Sequence, residues 1–104
     1  MKKLTGQFNT ATVKKGETFA IELGSNPSTG YSWDVQLKAG KASLVKTDYK
    51  PDSKDPMIIG GGGKEIYVFK AEETGTVDIE AVYRRPWDKS SAGKPLRFGV
   101  TVRP

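Results

Sequence analysis

Apolar and polar residues alternate along most of this chain. Phe19, Ile21 and Leu23 are interleaved with Thr18, Ala20 and Glu22, and Tyr31, Trp33, Val35 and Leu37 with Ser32, Asp34 and Gln36. Val77, Ile79, Ala81 and Tyr83 alternate with Asp78, Glu80 and Val82, and Leu96, Phe98, Val100 and Val102 with Arg97, Gly99 and Thr101. A period of two is the mark of antiparallel strands with one face buried. Ile66-Tyr67-Val68-Phe69 is apolar on both faces, which predicts deeper burial or an aromatic face turned to a partner. No segment of ten or more residues has a helical period, and Gly, Pro, Asn and Asp punctuate the strands at short intervals. The expectation is an all-β immunoglobulin-like sandwich of about seven antiparallel strands, near 7–13, 18–23, 31–37, 43–49, 64–71, 76–84 and 96–103. Trp33, on the apolar parity, is expected to pack between the sheets.

Strand order then makes a statement about the loops. If successive strands reverse direction, every second connection falls at the same end of the sandwich. The connections at 24–30, 50–63 and 85–95 should therefore cluster, with the turns at Ala39-Gly40-Lys41 and Glu73-Thr74-Gly75 opposite. The clustered loops are long and unusual in composition, the opposite turns short and plain. Loops gathered at one end of a rigid sandwich are a common binding architecture.

Composition narrows the classes. The chain of 104 residues is expected to form a single domain, 1–104, with no linker and no internal repeat. It contains no Cys and no His, which removes disulfides, Cys/His metal sites and every nucleophile that relies on a His base. No catalytic residues, cofactor or metal are expected, and an enzyme is ranked far below a binding protein. The formal net charge is +5, yet no run of Lys or Arg exceeds two residues. That describes a solvated basic surface that speeds encounter with acidic proteins rather than a nucleic-acid site. No apolar run approaches the ~20 residues of a membrane helix. Met1-Lys2-Lys3 is followed by no apolar stretch, so no signal peptide is read in this chain. A periplasmic or secreted location would follow if one was removed, a cytoplasmic one otherwise. The partners expected are therefore proteins, with no nucleic acid and no membrane, and the chain itself is expected to be a monomer.

Three loop sequences carry the candidate chemistry. In Asn26-Pro27-Ser28-Thr29-Gly30-Tyr31, Pro27 fixes its own φ, Gly30 supplies backbone freedom, and the Asn26 side chain can bond the backbone two residues on. The product is a stiff loop with small hydroxyl residues at its tip, which a plain turn would not require. Gly60-Gly61-Gly62-Gly63 precedes Lys64 but lacks the spacing and following helix of a phosphate loop. It reads either as a flexible hairpin or as backbone stripped of side chains for close approach to a partner, with Met57, Ile58 and Ile59 adding apolar contact beside it. Arg85-Pro86-Trp87 leaves a strand directly, and a Trp among polar loop residues is a good interface anchor.

Together, in this order and with strand-length intervals between them, the three sequences resemble the binding loops of the chagasin family, immunoglobulin-like inhibitors of papain-family cysteine proteases. The resemblance implies reversible, competitive, non-covalent inhibition. The Asn26–Tyr31 loop would enter the protease active-site cleft, with Ser28 standing where the family most often has Thr. Gly60, Gly62 and Gly63 match the family's Gly-x-Gly-Gly segment along the cleft, and Trp87 would pack beside the catalytic groove, with Arg85 bracing its loop. The implied protease-binding residues are Asn26, Pro27, Ser28, Thr29, Gly30, Tyr31, Gly60, Gly61, Gly62, Gly63, Arg85, Pro86 and Trp87. The alternative is an immunoglobulin-like adhesion or carbohydrate-binding module using Trp87 and Tyr83.

Overall fold

The computed structural model describes residues 1–52 and 62–104. Among the described residues eight strands form: β1 (Lys2–Leu4), β2 (Thr10–Lys14), β3 (Thr18–Ser25), β4 (Ser32–Ala39), β5 (Ala42–Pro51), β6 (Gly63–Ala71), β7 (Gly75–Arg84) and β8 (Leu96–Arg103). They make two four-stranded sheets, in the orders β1-β3-β6-β5 and β2-β8-β7-β4. The inward rows behave as the alternation requires. Phe19, Ile21 and Leu23 of β3, Val77, Ile79 and Ala81 of β7, and Phe98, Val100 and Val102 of β8 share one buried cluster. Phe19 stacks on Phe69 of β6 with ring centroids 5.8 Å apart. Each of the larger side chains, Val, Leu, Ile or Phe, contributes about 1.5–3 kcal/mol on leaving water before entropy is counted.

Two details differ from the sequence reading. The strand expected near 7–13 is Thr10–Lys14, and a further short strand, Lys2–Leu4, precedes it. β1 pairs with β3 and β2 with β8, and both pairings are parallel rather than antiparallel. The chain reverses between β1 and β2 and in doing so passes from the edge of one sheet to the edge of the other. Thr5 makes the step, its N–H donating to Phe8 O and its Oγ1 accepting from Gln7 and Phe8 N–H. The alternation breaks at the same place, where Phe8 points into solvent. β1 is only three residues long, too short for a period to register, yet Leu4 is fully buried against Ile21.

The second difference concerns Trp33. It is partly buried and packs against the rim of the core rather than inside it. β4 is an edge strand, so its inward row is covered on one flank only. Trp33 still joins the two sheets, its indole N–H donating to Gly24 O of β3 at 2.8 Å. The doubly apolar stretch at 66–69 lies in β6, between β3 and β5, where Val68 is buried beside Ala20 on the outer face of the sheet.

Direction of travel puts the connections where strand order requires. At one end Glu72 N–H donates to Lys41 O and Gly16 N–H to Ala71 O, holding the short turns together. At the other, Ser25 pairs with Gly63, Gly63 with Pro51, and Ser32 with Arg84, so the roots of all three unusual loops lie side by side.

Candidate functional site

The first loop is locked by its own polar groups. A 3-10 turn spans Pro27–Thr29. Asn26 Oδ1 accepts from Ser28 N–H at 3.2 Å and from Ser28 Oγ at 2.7 Å. Thr29 N–H and Oγ1 both donate to Asn26 O, at 3.1 and 2.8 Å, and Tyr31 N–H donates back to Thr29 Oγ1. The hydroxyls of Ser28 and Thr29, read from sequence as contact groups, thus also stiffen the turn from inside. Asn26 N–H donates to Tyr83 Oη at 3.1 Å, which ties the turn to β7.

Arg85-Pro86-Trp87 is built the same way. Arg85 and Asp88 form an isolated bridge, and Asp88 caps the 3-10 turn Lys89–Ser91 by accepting from Ser90 N–H at 3.0 Å and Ser90 Oγ at 2.6 Å. These bonds hold the Asp88 carboxyl below the usual carboxylate range. Arg85 N–H donates to Ser91 Oγ, and Gly93 N–H to Tyr83 O, closing the loop on its own strand. The result presents Trp87 with 74% of its surface exposed.

The two loops touch. Gly30 has φ +80°, and a Cβ placed on it would lie 2.8 Å from the Trp87 ring. Behind that contact the Arg85 guanidinium lies 5.0 Å over Tyr31, Tyr31 packs on Tyr83 at 5.1 Å, and Tyr83 on Trp33 at 4.8 Å. This stack runs from the sandwich rim to the loop tips and sets the distance between them. Arg84 pairs with Asp34 of β4 at 3.1 Å.

Of the glycine segment, Gly60 and Gly61, with the apolar residues 57–59 before them, lie outside the described residues. Gly62 N-terminally flanks β6, and its O accepts from Asp52 N–H at 3.0 Å. Gly63 is buried in β6, and the space a side chain would take is filled by the Tyr49 phenol. Its lack of a side chain is therefore explained within this chain.

Sequence reasoning missed the part played by Tyr83, which it offered as an exposed aromatic for a sugar. Its hydroxyl is engaged by Asn26 and its ring lies between Tyr31 and Trp33, so it supports the loops instead. The Asp88-Lys89-Ser90 capping pattern was a legible signal for the second turn.

Residues 12–102 match the family described as Chagasin family peptidase inhibitor I42. Amoebiasin-1 of Entamoeba histolytica is 38% identical over 94 residues, covering 90% of each chain. Chagasin of Trypanosoma cruzi is 32% identical over 106 aligned positions, covering 97% of this chain and 96% of its own. The crystal structure of EhICP2, a cysteine protease inhibitor from Entamoeba histolytica, superposes with a TM-score of 0.82 at 28% identity, over 98% of this chain and 95% of that one.

Proposed function

Because the chain belongs to the chagasin family of cysteine protease inhibitors, we propose that its three clustered loops plug the active-site cleft of a papain-like protease. The Asn26–Tyr31 turn enters above the catalytic thiol. Trp87 packs on one side of it, and the Gly60–Gly63 segment runs along the cleft on the other, its root seated by Gly63. Gly30 and the Tyr31–Tyr83–Trp33 stack hold the wedge in shape.

The observation that carries this reading is the contact between Gly30 and Trp87, from loops 57 positions apart, at the end where the glycine segment is also rooted. A single-loop binder would not need its neighbours fixed to one another. Loops already ordered before binding lose less entropy on docking, so nanomolar affinity is within reach of an interface of roughly 1,600 Å². The inhibitor contributes shape and no reacting group, in keeping with a chain that has neither Cys nor His. Inhibition is competitive and reversible.

Titration of papain with the purified protein tests this. Nanomolar amounts should abolish papain activity and leave trypsin, pepsin and metalloproteases untouched. Full papain activity in the presence of micromolar protein would overturn the reading.

A further inference from the structure

β4 and β5 are edge strands of different sheets, so the sandwich is open between them. Near the loop end this opening is a cleft of about 670 Å³. Among the described residues its lining includes two carboxylates, Asp48 and Glu65, and no Lys or Arg, although the whole chain has a formal net charge of +5.

Glu65 is the more informative of the two. Its register partners are Leu23 and Tyr49, which places it on the inward-facing row of its sheet, level with a core leucine. Glu65 is half-buried there, so its carboxylate gives up part of its hydration. Among the described residues no Lys or Arg forms an ion pair with it. Its hydrogen-bond donor is the Tyr67 hydroxyl, at 2.7 Å from Oε1. Burial and then that bond push the Tyr67 phenol above its ordinary value, so it remains a donor at every working pH. Ser25, the next inward residue of β3, also lines the cleft; it is 8% exposed, and among the described residues its Oγ has no hydrogen-bond partner. Tyr31 and Pro86, from two of the loops assigned to the protease, stand on the same lining.

We propose that this cleft receives a basic side chain, an arginine in the best case, that projects from the target protease beside its active-site groove. The proposal rests on the inhibitor reading above, which brings the protease surface to the cleft mouth. A guanidinium has five N–H donors and no acceptor. It can give two of them to the Glu65 carboxylate in a fork and one to Ser25 Oγ, against the phenol walls of Tyr49 and Tyr67. A lysine ammonium would satisfy the charge without the fork. The cleft would thus select among papain-like proteases by their rim residues, while the loops supply inhibition common to all.

The site can be read on the inhibitor alone. In NMR titrations, Nα-acetyl-arginine methylamide should shift the ring signals of Tyr49 and Tyr67 saturably in the millimolar range, and its neutral citrulline counterpart should not. Glu65→Gln, which keeps an acceptor for Tyr67, should abolish the response. Across a panel of papain-like proteases, Glu65→Gln should weaken inhibition about tenfold or more for at least one. That loss should vanish when the rim arginine of that protease is replaced by alanine.

Equal response to arginine and citrulline compounds, or none to either, would overturn the site, and this arm needs no variant to fold. Binding of the arginine compound together with unchanged inhibition of every protease by Glu65→Gln would leave a small-cation site only and overturn the protease contact. A wild-type protein that inhibits no papain-like protease would instead overturn the inhibitor reading, with the titration still reporting on the cleft.

Discussion

A Cβ on Gly30 would collide with the Trp87 ring, and φ +80° at that position is already unfavourable for other residues. Gly30 therefore does two things at once: it lets the first turn close and lets the Trp87 loop lean on it. In the proposed mode Trp87 is the anchor and Trp33 the scaffold. Trp87, largely exposed, should cost ~2–4 kcal/mol of binding when changed to Ala, roughly 30-fold or more in the inhibition constant. Its melting temperature should stay near that of the parent. Trp33 carries a cross-sheet hydrogen bond and one end of the aromatic stack but is only partly buried. Trp33→Ala should destabilise the domain by about 2–4 kcal/mol, at the lower side of a fully buried aromatic. Paired denaturation curves and inhibition constants check both, and interchanged outcomes would contradict the assignment.

At the scale of the element, the Asn26–Tyr31 loop is a turn before it is a binding segment. A protease cuts a peptide laid extended through its cleft, with the carbonyl in a near-attack geometry. The 3-10 turn and the bonds onto Asn26 Oδ1 and O hold this loop away from that shape. The inhibitor should therefore survive long incubation with excess papain uncut, and inhibition should reverse on dilution. A papain variant with its catalytic Cys replaced by Ala should still bind. Mass spectrometry decides: early cleavage between Asn26 and Tyr31, or a covalent adduct, would make the protein a slow substrate or a suicide inhibitor.

Across the whole molecule, the proposed binding loops and the tight turns lie at opposite ends of the strands. The far end is held by short turns, and at Gly40, with φ +83°, a side chain would run into the Thr76 backbone. Gly40→Ala should lower stability by more than ~1 kcal/mol, since both the backbone and the space oppose it. Inhibition constants measured well below the melting temperature should be unchanged, because the loop cluster lies at the other end of the strands. A loss of inhibition in folded Gly40→Ala would mean that the ends are coupled through the sheets.

The sequence alone determined the strand rows, because burial of one face acts on every second residue and leaves its mark locally. It also determined that the roots of three unusual loops share an end, because strand direction alternates from each strand to the next, and it carried the family resemblance in the loop residues themselves. Only the tertiary structure decided the rest. The passage from β1 to β2 between sheets turns on Thr5 and a single buried Leu4, too little for any pattern to show. The half-exposure of Trp33 follows from β4 being an edge, which depends on which strands pair and not on the residues of β4. Tyr83 and Glu65 look ordinary in the chain. Their meaning comes from partners 57 and 2 positions away, Asn26 and Tyr67, and from an open seam between sheets that no local stretch of sequence encodes.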